Sequence, residues 1–516
     1  MNLPLFDELE IKLDRENEKN EIAFIGGASR ETLRFYLDFL EGTGFTKKEE
    51  CDSSDRAFFA YEKDGCGVFV NYFDRVRELY IATEQETVYF EREDKCGDER
   101  VTPQITQVKL EDYGMSYAIR LPDGRYIVID GGREFEPDAE RLYRCLADGT
   151  GEGKPTVAVW IMTHPHSDHF HCFMPFFDKY GKDVQIESFM LNFPERDDTE
   201  HYPKLTAKDA RFEDSSPFTN IKMLYERIGK TGAKVYMPHT GQIYRFGGAE
   251  LQILASMDDT IHNRTGNINA TSTVIRMELA SQVILWGADM PCSEARLAEK
   301  YGEYLRSDIL QVPHHGFQSG EASGELAAFR LIKPKTAFLP ASDFNAFTAF
   351  CIHKPGSRYL MESCGISELI TGETQRTVDL PYEPNENGKA DLARKVSRGL
   401  ANCGAYNFIF SNLNTKIPED FVFTFLNTTH VSATVWAELF FEDYKRDVRA
   451  IKIEVGPLRQ KKLSVIGEET DHGALYFNWM SLDELGVPEN ADFSIRFISD
   501  VPIVISSANH TAVYYS

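Results

Sequence analysis

The sequence contains no apolar run that approaches the length needed to span a bilayer, and its N-terminus has no basic segment followed by an apolar one. These absences predict a cytoplasmic protein without a membrane partner. Cysteine is sparse: the 9 cysteines are odd in number and scattered without close pairs. This usage fits reduced thiols better than a disulfide framework.

Positive charge is also scarce. The chain has 56 lysines and arginines against 81 aspartates and glutamates, which gives a formal net charge of -25. A solvated acidic surface repels phosphate backbones, so nucleic acid is a disfavoured partner and a small-molecule substrate is expected. The length of 516 residues, 42% of them hydrophobic, is enough for several domains.

Histidine is scarce as well, yet three of the 13 histidines lie in the segment 163–169 (THPHSDH). This segment directly follows the apolar run 157–162 (VAVWIM), which is typical of a buried strand. Such a loop can direct two imidazoles at one cation while an aspartate and a third histidine reach a second, and these ligands suit zinc, iron or manganese. The alternative, a chance cluster of surface histidines, fits poorly with the scarcity of histidine.

Four further motifs accompany this segment. They are the hairpin-like segment 117–132 (YAIRLPDGRYIVIDGG), the strand-like run 283–289 (VILWGAD), the segment 308–316 (DILQVPHHG) and the segment 352–355 (IHKP). In order and spacing, the motifs between residues 107 and 382 resemble those of the metallo-beta-lactamase superfamily. The Pro-His-His-Gly element is similar to that of its competence-type and phosphorylcholine-esterase-like branch.

The resemblance implies an α/β fold, a four-layer αββα sandwich with one or two metals at the sheet edges. By the same resemblance, His164 and His166 bind one metal ion, Asp168 and His169 bind the second, and Asp289 bridges both. The expected cofactor is Zn²⁺, as one or two ions, with Mn²⁺ or Fe²⁺ as alternatives.

A histidine of the adjacent pair His314-His315 is expected to complete the second metal site. Either residue fits the pattern. His314 is favoured because it lies nearer the end of the preceding strand, which leaves His315 to orient it or to contact substrate. His353 is a candidate for substrate contact or proton donation, and its alternative is a surface histidine before a Lys-Pro turn.

One departure from the family pattern concerns the third ligand of the first metal site. The segment 267–274 (NINATSTV) has asparagine where many members have histidine, and Asn269 is similar to an Asn-x-x-Ser element of the competence-type branch. His239 or His262 could supply this third ligand by folding back towards the site. An enzyme with a single metal ion is the alternative. Cys172 next to the loop could be a ligand or a small buried hydrophobe.

The resemblance implies a metal-dependent hydrolase, and the His-His-Gly element favours a phosphodiesterase that acts on a small molecule through a metal-activated hydroxide. Asp168 would hold the hydroxide, while a histidine among His314, His315 and His353 would assist the leaving group. The alternatives are a competence-type nuclease and a non-catalytic scaffold with a degenerate metal site.

Three domains are expected. The pattern of residues 1–98 predicts a small α+β domain. In it, Gly26-Gly27 precedes a predicted helix and forms a turn or, alternatively, an anion-binding site. Residues 99–383 form the catalytic domain. Residues 384–516 alternate apolar and polar side chains in short runs that predict an all-β sandwich. This last region resembles the sensory rhodopsin transducer family, which implies a homo-oligomer assembled through the sandwich.

Overall fold

The computed structural model of the protein describes the following residues: 10–15, 21–84, 97–98, 100–112, 114–151, 153–193, 217–257, 268–317, 322–342, 346, 364–385, 388, 406–414, 422–441, 448–464, 492–499, 501–507 and 513–515. These residues form two compact units. One unit contains strands β1 to β21 and the other contains strands β22 to β29.

A six-stranded antiparallel sheet opens the first unit, with the strand order β1-β2-β6-β5-β4-β3. Its strands are β1 (Glu10–Arg15), β2 (Glu21–Gly26), β3 (Thr46–Asp52), β4 (Arg56–Lys63), β5 (Cys66–Phe73) and β6 (Glu78–Glu84). Helix α1 (Arg30–Gly42) begins at Ser29, whose side chain caps it in a capping box with Thr32. Gly27, with a φ of 72°, forms the turn that leads to this cap.

Helix α1 covers one face of this sheet, where Leu33, Tyr36 and Leu40 are buried against the strands. The opposite face is apolar too, because β5 and β6 are buried along almost their whole length. Phe58 and Phe69 on that face pack with Met257, which follows β15. The sheet is therefore covered on both sides.

Two larger sheets follow in the same unit. The eight-stranded sheet has the order β13-β12-β10-β9-β8-β7-β21, with β11 paired to β10. Its strands are β7 (Gln104–Gln107), β8 (Ser116–Arg120), β9 (Tyr126–Asp130), β10 (Thr156–Ile161), β11 (Gln185–Ile186), β12 (Ser188–Met190), β13 (Lys234–Tyr236) and β21 (Arg376–Asp379). Strands β9, β10, β12 and β13 run parallel to one another.

The seven-stranded sheet has the order β14-β15-β16-β17-β18-β19-β20. Its strands are β14 (Ile243–Phe246), β15 (Ala249–Ala255), β16 (Val274–Leu279), β17 (Gln282–Trp286), β18 (Ile309–Gln311), β19 (Thr336–Leu339) and β20 (Glu368–Thr371). The first four pair antiparallel and β17 to β20 pair parallel. Short 3-10 helices occur at Ile268–Thr271, Gly302–Leu305 and Pro313–Gly316.

The two larger sheets pack face to face through one apolar core. Ile129 and Ile161 contribute to it from one sheet, and Ile253 and Trp286 contribute from the other. Helices α2 (Glu136–Thr150), α4 (Phe173–Tyr180) and α5 (Pro217–Thr231) bury apolar side chains against the outer face of the eight-stranded sheet. The one-turn helix α3 (Ser167–Phe170) follows β10. Helices α6 (Leu297–Tyr301) and α7 (Ala322–Ile332) lie in the connections after β17 and β18.

The second unit consists of two sheets that share a core. The five-stranded sheet has the order β25-β24-β27-β22-β29 and the three-stranded sheet the order β26-β23-β28. Phe423 and Phe497, from different sheets, are in edge-to-face contact in this core. The strands are β22 (Tyr406–Asn414), β23 (Val422–Asn427), β24 (Ala433–Phe441), β25 (Val448–Val455), β26 (Gln460–Ser464), β27 (Asp492–Ser499), β28 (Ile503–Ser507) and β29 (Val513–Tyr515).

The fold is thus mixed α/β and rich in strands, which confirms the predicted fold class at that level. None of the helices in the described residues combines the length and the apolar character that crossing a membrane requires.

Gly241, in the segment before β14, is in close contact with the N-terminal sheet. Its φ is +93°, and a Cβ built on it would lie 2.2 Å from Oδ1 of Asn71 and 2.5 Å from Cδ2 of Phe58. We expect Gly241→Ala to lower the free energy of unfolding by about 1–3 kcal/mol, because both the backbone conformation and the packing would be strained. Urea denaturation measures this change.

The matched control is Gly229→Ala. Gly229 is exposed on helix α5, where a Cβ would meet nothing within 4 Å. Alanine there should raise the stability by about 0.5–1 kcal/mol through helix propensity. Equal stability of the two variants would show that the contact at Gly241 contributes little.

Candidate metal centre

The candidate site lies where strands of the two larger sheets end. In the eight-stranded sheet, β9 ends at Asp130 and its parallel neighbour β10 is followed by the loop 163–169. In the seven-stranded sheet, β17 precedes Asp289 and its parallel neighbour β18 precedes His315. Crevices outside the carboxyl ends of parallel strands are the usual ligand sites of α/β folds. Short loops from both sheets therefore build this site.

A first group of side chains consists of Asp168, His169, Asp289 and His315, whose ligand atoms lie within 4.8 Å of one another. Nε2 of His315 is 3.1 Å from Oδ2 of Asp168 and 3.5 Å from Oδ2 of Asp289. Nε2 of His169 is 3.3 Å from the same oxygen of Asp289. All four side chains are buried.

A second group consists of His164, His166 and Asp289, again with ligand atoms within 4.8 Å of one another. Nε2 of His164 faces Nδ1 of His166 at 3.0 Å and lies 3.8 Å from Oδ2 of Asp289. Because Asp289 belongs to both groups, a cation in each would share its carboxylate.

Asp130 fixes the rings of the loop from behind. Nδ1 of His169 donates to Oδ2 of Asp130 at 2.7 Å, and Oγ1 of Thr163 donates to the same oxygen at 2.8 Å. The Thr163 hydroxyl in turn accepts from Nδ1 of His164 at 3.2 Å. With the proton on Nδ1 of both histidines, each Nε2 lone pair faces its group, as a metal ligand requires.

His315 is oriented in the same way by a main-chain group. Its Nδ1 donates to the carbonyl of Pro340 at 3.1 Å, so Nε2 faces the first group. Pro340 directly follows β19, the neighbour of β18 in the sheet. Three strands of the seven-stranded sheet thus contribute to the site: β17 through Asp289, β18 through His315 and β19 through this carbonyl.

Mutual contacts balance the charges of the site. Burial lowers the pKa of His315, but Asp289 and Asp168 outweigh it and raise that pKa to about 9. Burial would raise the pKa of Asp289, yet the imidazoles of His169 and His315 hold it well below its ordinary value. Burial lowers the pKa of His164 well below its ordinary range. At neutral pH a cation entering the first group must displace a proton, because metal ligands have to be deprotonated.

The residues fit a divalent cation. Within the described part of the chain, two buried atoms of the first group, Nε2 of His169 and Oδ1 of Asp289, make no hydrogen bond. Buried polar atoms nearly always have a partner, so two such atoms in one group require an explanation. Imidazole nitrogens and carboxylate oxygens are the donor set of zinc and similar metals. Both groups could therefore hold a metal ion.

The structure brings together five of the residues that the sequence analysis singled out as ligands: His164, His166, Asp168, His169 and Asp289. For the sixth ligand, the sequence pattern favoured His314, whereas the structure places His315 in the first group. The reason is the backbone of the turn after β18. His314 and His315 have φ values of 50° and 51°, and consecutive left-handed residues direct their side chains differently from an extended strand end.

The other candidate ligands lie apart from both groups. His239 stacks on Phe69 of the N-terminal sheet, and its Nε2 is 3.2 Å from Oε2 of Glu84. Cys172 is buried in the apolar layer beneath the helices, and burial raises the pKa of its thiol. His262 and His353 lie outside the described residues.

Some contributors to the site were missed by the sequence analysis. The Thr163 hydroxyl and the Pro340 carbonyl carry no motif of their own, although a hydroxyl at the end of a strand before a histidine loop is a usable signal for the former. His171, two residues after His169, belongs to neither group, and its Nδ1 is 2.8 Å from Oε2 of Glu134.

Comparison with known proteins bears on this part of the chain. Residues 111–240 match the metallo-beta-lactamase superfamily. The match includes Asp130 and the loop 163–169, and it ends before Asp289. It supports that superfamily for the domain that carries the site. A search of curated proteins finds no significant match.

Three of the solved structures with some similarity to this chain are the following. A candidate metal-dependent hydrolase of Parabacteroides distasonis ATCC 8503 is 13% identical, with 64% of this chain and 100% of that chain covered and a TM-score of 0.29. The Anabaena sensory rhodopsin transducer is 19% identical over 20% of this chain and 80% of its own, with a TM-score of 0.15. The Thermotoga maritima 1070 protein is 20% identical over 21% of this chain and 90% of its own, with a TM-score of 0.13. These similarities are too weak to support an argument about this chain, so its fold rests on its own structure.

Asp130 offers a test of the site that leaves every ligand atom in place. Asp130→Asn replaces the negatively charged carboxylate that accepts a hydrogen bond from Nδ1 of His169 with a neutral amide. We expect the variant to bind Zn²⁺ about 10–100-fold more weakly, as is usual when an outer partner of a metal-binding histidine is lost. Competition with a chelator of known affinity measures the change.

The control for this experiment is Asp178→Asn, which removes a carboxylate that pairs with Arg227 on the helical layer. It should bind Zn²⁺ as the parent protein does. Unchanged affinity of Asp130→Asn would mean that Asp130 does not support the metal ligands.

Proposed function

We propose that the chain is a metal-dependent hydrolase whose substrate is a small phosphodiester. The observation that carries this proposal is the sharing of Asp289 by two groups of imidazole and carboxylate ligands, of which only His166 is less than fully buried. When bound at such a pair, divalent cations act as Lewis acids, lower the pKa of water and stabilise the attacking and leaving oxygens of an in-line displacement.

The residues around the ligands support a rigid site. The carbonyl of Asp168 accepts from the backbone N–H of Met115 at 3.0 Å. Gly114 lies so close that a Cβ on it would be 2.6 Å from the same carbonyl oxygen. The N–H groups of Gly131 and Gly132 donate to the carbonyl of His169 at 2.7 and 3.0 Å. Ligands held in place before the substrate arrives are what efficient catalysis requires.

The charge balance favours a small phosphodiester over a nucleic acid. Each phosphodiester carries one negative charge, which two cations in the site can neutralise locally. The rest of the chain carries a formal net charge of -25 and would repel a long polyanion. We therefore infer a substrate that the site itself can enclose.

Metal analysis combined with an assay tests this function. The zinc-loaded protein should hydrolyse bis-p-nitrophenyl phosphate, and Asp289→Asn should reduce both the bound metal and the turnover, the latter by more than about 100-fold, since loss of even an outer partner costs up to that much. The control Asp379→Asn changes an exposed carboxylate on β21 and should alter neither quantity.

Two outcomes would contradict parts of the proposal. If the metal-loaded protein hydrolyses p-nitrophenyl acetate or a lactone but no phosphodiester, the chain is a hydrolase but not a phosphodiesterase. Protein that binds stoichiometric metal and hydrolyses none of these substrates would favour a non-catalytic scaffold.

A further inference from the structure

His314 lies beside the two ligand groups without belonging to either. Its ring centroid is 6.2 Å from that of His315 and 5.6 Å from that of Phe317. Its backbone N–H donates to the carbonyl of Ala288, the residue before Asp289, at 2.9 Å. Ala288 also has a left-handed φ, of 48°. The turn that carries His314 is thus attached directly to the loop of the shared carboxylate.

The backbone of this turn is strained at consecutive residues, since His314 and His315 both have φ near 50°. Non-glycine residues adopt this conformation at a cost, and such residues concentrate at functional sites. The conformation directs the His315 ring into the first group. The His314 ring is left to make a different contact.

That contact is with Asn269 of the 3-10 helix Ile268–Thr271. Nδ2 of Asn269 lies 3.2 Å from Nε2 of His314. An amide nitrogen can only donate, so Nε2 of His314 must be the acceptor. The imidazole is then neutral and carries its proton on Nδ1. Asn269 therefore determines which nitrogen of His314 is a donor.

Nδ1 of His314 is buried and makes no hydrogen bond within the part of the chain that the structure describes. In that tautomer Nδ1 is a fixed donor on a ring whose centroid lies 6.2 Å from that of His315, a member of the first group. Such a donor suits an anionic phosphoryl oxygen, because hydrogen bonds to charged acceptors are the stronger ones.

We propose that His314 is a substrate-binding residue that donates from Nδ1 to a phosphoryl oxygen, and that Asn269 is the positioning residue that keeps the proton there. This inference rests on the proposed function. It assigns His314 a role other than the metal ligand that the sequence favoured. It also gives Asn269 a role at the position where many relatives of this fold have a third histidine.

Side-chain replacements at His314 separate donation from metal binding. The amide nitrogen of asparagine can occupy the position of Nδ1, whereas alanine has no donor. In the zinc-loaded full chain, His314→Ala should bind inorganic phosphate at least about tenfold more weakly and raise KM, with the metal content unchanged. His314→Asn should recover most of the phosphate affinity. Calorimetric titration with phosphate and metal analysis measure these quantities.

The role of Asn269 is tested through the protonation of the ring. In protein labelled with ¹⁵N-histidine, the His314 signals, assigned by their loss in His314→Ala, should show a protonated Nδ1 and an unprotonated Nε2. Asn269→Asp should reverse this pattern, because a carboxylate accepts where the amide donated. Asn269→Ala should weaken phosphate binding when introduced into the parent protein. Introduced into His314→Ala, it should not weaken phosphate binding further, since both changes remove the same interaction.

Three results would overturn the inference. They are loss of zinc in His314→Ala, which would make the residue a ligand; a protonated Nε2 in the parent; and parental phosphate affinity in His314→Ala. None depends on turnover, so a protein that binds phosphate through His314 but hydrolyses no phosphodiester would refute the proposed function and leave this inference standing.

Discussion

The site depends on the contact between the buried carboxylate of Asp289 and the imidazoles around it. A buried charge is costly unless it is paired, and here His169 and His315 face Oδ2 of Asp289 at 3.3 and 3.5 Å. His169 follows a strand of the eight-stranded sheet, whereas Asp289 and His315 follow strands of the seven-stranded sheet. The ligand groups therefore exist only when both sheets are packed on their common core.

The sequence predicted the parts of the site that local pattern determines. The loop 163–169 follows an apolar strand, and Asp289 closely follows another, so both could be placed after strand ends from their motifs. The sequence pattern favoured His314 over His315 for its nearness to the strand end, whereas the position of His315 in the first group depends on consecutive left-handed residues that no periodicity reveals. The contact of His239 with Glu84 was equally hidden, since it joins residues that are far apart in the sequence.

The same distinction holds for the fold. Strands β4, β5 and β6 consist largely of buried residues, and such runs are visible in a sequence, whereas the edge strand β3 has the sequence TKKEECD and is largely exposed. Such a strand is held by backbone pairing with β4 and has no apolar face to detect. The three domains and the oligomer expected from the sequence stay predictions, as do the roles of the individual ligands.

We propose that two cations share the carboxylate of Asp289. Anomalous X-ray diffraction from crystals of the zinc-loaded protein, collected on both sides of the zinc absorption edge, tests it most directly. We expect two zinc peaks, one ligated by His164, His166 and Asp289 and the other by Asp168, His169, Asp289 and His315. A single peak that Asp289 does not ligate, or a peak ligated by His314, would contradict it.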